Sequence, residues 1–183
     1  MTDLISFTDT ETGGLVAKTD AILQVAAIKC LNDDDLTIVD VFNDFIYPPA
    51  STLIRLGALR ANHVDMTRVM SADPEIVVAQ RFAKFNDDEP LFCAYNAPFD
   101  LGMLWEMQLR TGIKFKYVVD ETNGWLDVLP LARRVLKGVT PNHKLTTVTK
   151  YFGVAHEDAH DALADCQALR EVYKHLRRLV NGK

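Results

Sequence analysis

The chain has 183 residues, 48% of them apolar and 25% charged, which fits one compact domain over 1–183 and excludes disordered and fibrous proteins. The net charge of −5 and the lack of a long lysine and arginine stripe argue against nucleic-acid binding by a basic surface alone. No apolar run approaches the roughly 20 residues that cross a bilayer, and the first residues carry no basic stretch, so we expect a cytoplasmic protein without membrane contact. Three scattered cysteines, Cys30, Cys93 and Cys166, exclude a disulfide framework and a paired-cysteine zinc site.

The first part of the chain predicts strands. Residues 4–8 form a short buried strand that ends before a glycine turn, and 22–30 form a second strand rich in valine and isoleucine. A third strand over 36–47 follows an acidic turn, so the second and third strands are predicted to pair as an antiparallel hairpin. Residues 51–70 are expected to mix short helices with loop.

The middle of the chain predicts a helix, a strand and a second helix. Pro74 opens the first helix, a strand over 91–95 follows, and the second helix runs over 98–110 before Gly112. The apolar face of the first helix is predicted to contain Ile76, Val77, Ala79, Phe82 and Phe85. A further strand is considered over 115–119.

The last part of the chain predicts three helices, over 125–136, 144–152 and 161–179, with Gly153 ending the second. The first is predicted to turn inward Trp125, Val128, Leu129, Ala132 and Leu136. The third is predicted to bury Leu163, Cys166, Leu169, Val172 or Tyr173, Leu176 and Leu179. Early strands followed by late helices indicate an α/β sandwich around a mixed sheet, in which sites gather at strand ends and helix starts.

Two acids, Asp9 and Glu11, follow the first predicted strand with one residue between them. Alternate residues of an extended chain point the same way, so the pair would present two carboxylates side by side. Like charges this close repel each other unless a cation lies between them. A short acidic pair of this kind is more often a solvated turn, so it needs support from other segments.

Support comes from a third acid, Asp100, and from the spacing of His160 and Asp165. Asp100 falls in the first turn of a helix, where the helix dipole favours an anion and a purely structural role is also possible. Residues five apart do not share a helix face, so His160 must lie in the loop or first turn if it shares a site with Asp165. An imidazole in that position suits a general base. The structural alternative is a polar helix start capped by Asp158 or Asp161.

Together these acids predict a metal site. Hard oxygen ligands from three separate elements suit magnesium or manganese. Two such ions roughly 3.5–4 Å apart activate a water and stabilise the leaving oxygen in phosphodiester cleavage. Four carboxylates carry four negative charges, which two divalent ions would cancel, so the acidic composition does not exclude a nucleic-acid substrate.

The same residues resemble the three motifs of the DnaQ-like (DEDDh) 3′-to-5′ exonuclease family. Residues 7–15 resemble the first motif, 96–100 the second, and 160–165 the third, whose histidine marks the DEDDh branch. Weaker likenesses occur at 20–24, 125–129 and 151–154. The motifs stand in the family's order, each in the element that the family expects, and the resemblance spans almost the whole chain.

This resemblance implies an RNase H-like fold with a mixed central sheet of about five strands flanked by helices. It implies a metal-dependent enzyme that hydrolyses single-stranded nucleic acid, with DNA favoured, from a free 3′ end to nucleoside 5′-monophosphates. Carried over by position, Asp9, Glu11 and Asp165 would ligate one Mg²⁺ or Mn²⁺, Asp9 would also contact a second ion, and Asp100 would assist. His160 would be the general base.

The resemblance also implies a nucleotide pocket. Its residues would be Thr10, Thr12, Gly13, Leu15, His63, Asn96 and Phe99. Leu15 and Phe99 would pack on the base or sugar, although core packing explains them equally well, and His63 has a surface or core role as its alternative.

Two positions depart from the family pattern. Gly13 stands where many relatives have threonine, so a hydroxyl is missing while the backbone N–H remains to contact the nucleotide. Gln24 stands where glutamate is common, which leaves the metal ligands unchanged.

The sequence leaves the polymer and the biological role open. Single-stranded DNA, a duplex end and short RNA all remain as substrates, and an oligoribonuclease-like RNA exonuclease is one alternative. A second alternative is a DnaQ-like docking subunit that has lost catalysis. A polymerase or another replication or repair protein is the expected partner, since no polymerase domain follows in the chain.

Overall fold

A computed structural model describes residues 3–62, 64–116, 124–156 and 160–182 of the chain. His63, Asp158 and residues 117–119 of the strand considered over 115–119 lie outside these ranges. The described strands are β1 (Leu4–Thr12), β2 (Ile22–Leu31), β3 (Ile38–Phe45), β4 (Leu91–Ala94) and β5 (Leu126–Asp127). The described helices are α1 (Leu56–Asn62), α2 (Met66–Met70), α3 (Glu75–Phe85), α4 (Ala97–Thr111), α5 (Val128–Val135), α6 (Leu145–Phe152) and α7 (Ala162–Val180).

The five strands form one mixed sheet in the order β3-β2-β1-β4-β5. β2 pairs antiparallel with both β1 and β3, which confirms the predicted hairpin. β4 pairs parallel with β1 and β5. The carboxyl ends of β1, β4 and β5 therefore meet at one edge of the sheet, where ligand sites of α/β proteins gather.

Helices cover both faces of this sheet, as the sequence predicted. On one face, α5, α6 and α7 bury a core against β1 and β2 that includes Ile5, Phe7, Val128, Val148, Cys166 and Leu169. On the other face, α3 and α4 bury a core that includes Val25, Val78, Phe82, Phe92, Met103 and Leu104. Burial of apolar surface on both faces stabilises the three layers. Among the described helices, none is both long and apolar enough to cross a membrane.

The third strand is shorter than predicted. It begins at Ile38 rather than at residue 36, because Leu36 adopts a left-handed backbone with a φ of 52°. The Leu36 carbonyl accepts a hydrogen bond from Arg170 of α7 instead of joining the sheet. The strand ends at Phe45, before Tyr47.

The buried face of α3 differs from the prediction by about one residue of rotation. Ile76 is 47% exposed and Val77 is only partly buried, whereas Val78 is fully buried beside Ala79. Glu75 is also buried, because it forms an ion pair with Arg110 of α4 at 2.6 Å. Sequence periodicity fixes the width of an apolar face, but packing against the sheet fixes its rotation.

The helix predicted over 125–136 begins three residues later. Trp125 precedes the helix and is 51% exposed, so its predicted burial is wrong. Leu126–Asp127 instead form β5, and the Asp127 carboxylate caps α5 by accepting the N–H of Leu129. The predicted burial of Leu179 near the end of α7 is also wrong, because that side chain is 53% exposed. Phe115 is buried but does not lie in a strand.

Candidate active site

The strand β1 carries the first two acids toward α7. Ile5 and Phe7 lie in the core beneath α7, and Asp9 and Glu11 continue the same alternation along the strand. A register irregularity between Glu11 and Thr12 ends the regular pairing with β2 directly after the second acid. The two carboxylates thus lie on the α7 side of the sheet at the carboxyl end of β1.

The start of α7 brings two more of the predicted site residues to Glu11. Ligand atoms of Glu11, His160 and Asp165 all lie within 4.8 Å of one another. His160 stands in the turn before α7, as the spacing required, and its backbone is left-handed with a φ of 76°. A non-glycine residue in that region is uncommon and is often found where a side chain is held for function.

Asp100 approaches from the opposite side of β1. Its carboxylate accepts hydrogen bonds from the backbone N–H of Thr10 at 3.1 Å and from the Thr10 hydroxyl at 2.8 Å. Thr10 points away from α7 because it alternates with Asp9 and Glu11. These bonds tie the first turn of α4 to the end of β1 and hold a buried carboxylate beside the strand.

Burial and mutual repulsion raise the pKa values of these acids. The pKa of Asp9 is raised well above its usual value, by burial first and then by the charges of Asp100, Asp165 and Glu11. Burial, followed by the charge of Asp165, raises the pKa of Glu11 to about 8. Burial raises the pKa of Asp100 to about 7, although the hydrogen bonds from Thr10 oppose the shift.

The carboxylates whose pKa values are raised, Asp9, Glu11 and Asp100, are oxygen donors of the kind that divalent cations bind. Asp9, Glu11 and Asp100 form no ion pair with a lysine or arginine in the part of the chain that the structure describes. Buried carboxylates without a cation repel each other, and a hard divalent ion would relieve that repulsion. Glu11 and Asp165 could hold such an ion, because their ligand atoms and that of His160 lie within 4.8 Å of one another. Asp9 lies close enough to this group for the charges of Asp100, Asp165 and Glu11 to raise its pKa.

Three residues that the sequence analysis did not assign to the site hold Asp165 and the start of α7 in place: His156, Asp161 and Gln24. His156 bonds through Nε2 to the Asp165 carboxylate, and its side chain is almost fully buried. Asp161 caps α7 by accepting the N–H groups of Leu163 and Ala164, which confirms the capping alternative as a structural role. No short motif marked His156, because its contact depends on how α6 meets α7.

Gln24 also has a larger role than the sequence indicated. Its side-chain nitrogen donates to the Asp161 carboxylate at 3.0 Å, and its side-chain oxygen accepts the N–H of Ala162 at 3.2 Å. These two bonds anchor the start of α7 on β2. Gln24 thereby fixes where Asp165 lies, although it is not among the acids of the site.

A cavity of about 630 Å³ opens beside the acids. Four predicted nucleotide-binding residues line it, namely Thr10, Thr12, Leu15 and Phe99. Leu15 is 83% exposed, which excludes the alternative of core packing for this residue. Asn96 does not line the cavity. It begins α4 in a left-handed conformation and donates its backbone N–H to Asp127.

The Gly13 backbone N–H was predicted to contact the nucleotide, but it is occupied by a partner within the chain. Its N–H donates to the Ala21 carbonyl at 2.8 Å, and its carbonyl accepts the N–H of Arg55 at 2.7 Å. A Cβ atom at residue 13 would lie 2.6 Å from the Leu53 carbonyl oxygen, so threonine does not fit here without backbone movement. The glycine is explained by this close approach of two chain segments.

The outer wall of the cavity is fixed by an ion pair between the buried Asp20 and the half-exposed Arg55. The Asp20 carboxylate accepts hydrogen bonds from Arg55 Nε at 2.8 and 3.0 Å and from the Val16 N–H at 3.0 Å. The Arg55 hydrogen bond lowers the pKa of Asp20 to about 2. Asn62 closes the inner end of the wall and donates to the Thr12 carbonyl at 2.9 Å. Neither Arg55 nor Asn62 stood out in the sequence.

The fold places the chain in a known structural class. Exonuclease I of E. coli in complex with a dT13 oligonucleotide matches 98% of this chain and 43% of its own, with a TM-score of 0.82 at 22% identity. The zinc-bound form of the same enzyme in complex with single-stranded DNA matches the whole chain, with a TM-score of 0.83 at 22% identity. At this level of identity the likeness concerns the fold, and it confirms the RNase H-like class.

Sequence comparison is more specific. Residues 6–173 match the family described as exonuclease. The PolC-type DNA polymerase III of Listeria welshimeri is 34% identical over 163 residues, which cover 87% of this chain and 10% of that protein. The corresponding protein of Clostridium perfringens is 31% identical over 169 residues, 91% of this chain and 11% of its own. The chain belongs to the exonuclease family, which confirms the DnaQ-like resemblance, and it spans about a tenth of the length of the curated relatives it matches.

Proposed function

We propose that this chain is a metal-dependent 3′-to-5′ exonuclease that removes nucleoside 5′-monophosphates from single-stranded DNA. The observation that carries the proposal is the carboxylate cluster of Asp9, Glu11, Asp100 and Asp165 beside His160. Acids from β1, α4 and α7 are brought to one sheet edge, and burial raises the pKa of three of them. Such an arrangement is unfavourable unless cations occupy it, so its presence in a folded chain is best explained by catalysis.

The cofactors in this proposal are two divalent ions, Mg²⁺ or Mn²⁺. In sites of this kind, such ions supply an activated water and charge stabilisation at the leaving oxygen. Asp9, Glu11 and Asp165 would hold them, and Asp100 would assist from beneath the strand. His156 and Gln24 would keep Asp165 in position, His156 by contacting its carboxylate and Gln24 by anchoring the helix start.

His160 is proposed to accept the proton of the attacking water. It stands in the turn before α7, with a ring nitrogen within 4.8 Å of the Glu11 and Asp165 carboxylates. Its backbone is left-handed, with a φ of 76°, which is uncommon for a residue other than glycine. A positioned general base of this type contributes about 10²–10⁴-fold to the rate.

The cavity beside the acids is proposed to hold the terminal nucleotide. The exposed Leu15 and the partly buried Phe99 would offer apolar contacts for a base or sugar, and Thr10 and Thr12, which line the same cavity, would contact the nucleotide through their backbone. The role of His63 stays a prediction, and Gly14, rather than Gly13 or Asn96, lines the cavity.

DNA is favoured over RNA because of the relatives. The curated relatives are PolC-type DNA polymerases, and the exonuclease I structures contain DNA oligonucleotides. A polymerase or another replication protein is therefore the proposed partner. The oligoribonuclease-like alternative and the docking subunit remain as competing functions that one assay separates.

The test is a cleavage assay on 5′-labelled single-stranded DNA and RNA of equal sequence, together with a labelled dinucleotide, with Mg²⁺ or Mn²⁺ and with a chelator. We expect a ladder that shortens from the 3′ end, requires the metal, and forms faster on DNA. Faster cleavage of the RNA dinucleotide than of either long strand would favour the oligoribonuclease function. No cleavage and no metal binding by the folded protein would favour the docking subunit.

His160→Asn is the variant that tests the base. Asparagine tolerates the left-handed backbone better than most residues, so the turn is expected to keep its shape. We expect kcat to fall about 10²–10⁴-fold while the protein still binds Mn²⁺, measured by calorimetry. An unchanged kcat would exclude His160 as the general base.

A further inference from the structure

A surface of unpaired positive charge lies on α5, α6 and the segment between them. Residues 128–156 contain five lysines and arginines and no aspartate or glutamate, in a chain with a net charge of −5. We call these five side chains the α5–α6 surface: Arg133, Arg134, Lys137, Lys144 and Lys150. All five are exposed, and within the described ranges none forms an ion pair.

This lack of partners distinguishes the surface from most of the other cations. Arg55, Arg81 and Arg110 each bind a carboxylate at 2.6–2.8 Å, and Lys29, Lys116 and Arg170 also pair with acids. The sequence showed no long basic stripe, because these charges are spaced over 18 positions with apolar residues between them.

A cavity of about 460 Å³ gathers two of these cations. Arg133 from α5 and Lys144 at the start of α6 line it together with Tyr95, Asn142 and His143. The Tyr95 hydroxyl donates to the His143 carbonyl at 2.6 Å, and the Asn142 side chain accepts the Lys144 backbone N–H at 3.0 Å. These bonds hold the backbone at the start of α6 beside Tyr95, which follows β4.

The cavity lies at the same sheet edge as the carboxylate cluster. Tyr95 directly follows β4, and the next residue, Asn96, is bonded to Asp127 at the end of β5. β4 and β5 are the first and second neighbours of β1 on this side, which places the cavity roughly 5–10 Å along the edge from the end of β1. α6 then runs from Lys144 toward His156, which contacts Asp165.

We infer that the α5–α6 surface binds the phosphodiester backbone of the single strand that leads away from the active site. The inference rests on the proposed function and specifies the path that the substrate strand would follow over the protein surface. Single-stranded nucleic acid is a polyanion, and its affinity for proteins depends on cations that replace its counterions. The carboxylate cluster supplies no such affinity, so an adjacent cationic surface is required to hold a strand longer than the terminal nucleotides.

The test compares two charge-matched double variants. Arg133→Gln/Lys144→Gln removes the two cations of the cavity, and Lys84→Gln/Lys114→Gln removes two exposed cations from the other side of the sheet. Each is made in an Asp9→Ala background so that a labelled 12-nucleotide strand is bound with Mg²⁺ but not cleaved. Affinity is measured by fluorescence anisotropy over a range of salt concentrations, and the same is done with a dinucleotide.

We expect the cavity variant to bind the 12-nucleotide strand about tenfold or more weakly near 0.1 M salt, with the slope of log affinity against log salt reduced by about 1.4 for two lost contacts. The control variant should match its parent, and dinucleotide affinity should change far less than that of the long strand. Equal affinities for the 12-nucleotide strand and equal salt slopes in the two variants would overturn the inference. The α5–α6 surface would then be a candidate binding site for an acidic protein partner. Cleavage of the strand by the unmodified protein, measured separately, decides the proposed function, so the two failures are distinguishable.

Discussion

Two sets of acids lie near the carboxyl end of β1, Asp20 in one and Asp9 with Glu11 in the other, and their surroundings shift their pKa values in opposite directions. Asp20 is fully buried, but Arg55 and the Val16 N–H surround its carboxylate and hold its pKa at about 2. Asp9 and Glu11 lie at the end of the neighbouring strand, and their pKa values are raised by burial and by other acids.

The difference shows which acids serve the fold and which serve a ligand. A buried charge is tolerated when it is paired and hydrogen-bonded, as Asp20 is. Asp9, Glu11 and Asp100 have no lysine or arginine partner among the described residues, and a bound divalent cation would relieve their mutual repulsion.

The largest expected effect is on catalysis. Asp9→Asn removes one charge from the carboxylate cluster without changing its volume, and we expect kcat to fall at least about 10³-fold, or roughly 4 kcal/mol of transition-state stabilisation. The measurement is 3′-end shortening of a labelled strand with Mn²⁺, with circular dichroism to show that the variant is folded. Activity within tenfold of the unmodified protein would show that Asp9 is not needed for catalysis.

The second effect concerns packing around the Asp20–Arg55 pair. In Gly14→Ala the new Cβ would lie 2.0 Å from the Asp20 carboxylate and 2.9 Å from Arg55 Cδ, so the pair must separate. We expect a loss of about 1–3 kcal/mol in the free energy of unfolding, measured by urea denaturation. Gly57→Ala is the matched control, because nothing lies within 4 Å of its added Cβ and alanine favours the helix. Equal stability of the two variants would contradict the close approach at Gly14.

The third effect is on thermal stability, where we expect Asp9→Asn and Asp20→Asn to change Tm in opposite directions. In metal-free protein, Asp9→Asn removes an unpaired charge, so we expect Tm to rise. Asp20→Asn removes the partner of Arg55 and should lower Tm. Differential scanning calorimetry of both variants, with and without Mn²⁺, measures the contrast. A lower Tm for both metal-free variants would show that Asp9 has an internal partner.

The smallest effect is the pH dependence of stability. Unfolded Asp and Glu side chains ionise near pH 4, whereas Glu11 and Asp100 in the folded chain have pKa values raised to about 8 and 7. Between these values the folded state binds more protons than the unfolded state, so stability falls as pH rises from about 4 to about 8. We expect the Tm of metal-free protein to fall by a few degrees over this range, and Mn²⁺ to raise Tm most at the upper end.

A control separates this pH effect from other titrating groups. In Glu11→Gln one of the raised carboxyl groups is absent, so the decline of Tm with pH should be smaller than in the unmodified protein. An identical decline in both proteins would assign the pH dependence to residues outside the carboxylate cluster.

The sequence by itself determined the class of the protein and the residues of the carboxylate cluster. Asp9, Glu11, Asp100, His160 and Asp165 belong to short motifs whose spacing follows from local backbone geometry: alternation along a strand, a first helical turn, and a turn before a helix. Thr10 alternates with Asp9 along β1, and the structure shows it bonded to Asp100 on the face opposite α7. Such periodic local features can be inferred without knowing how elements pack.

Only the tertiary structure decided which neighbours surround those acids. The contact of His156 with Asp165, the anchoring of α7 by Gln24 and the pairing of Arg55 with Asp20 join residues from separate elements. The same holds for the rotation of α3, the exposed Trp125 and the occupied N–H of Gly13. These features depend on how helices dock on the sheet, and docking is set by packing of all the side chains at an interface rather than by the local sequence.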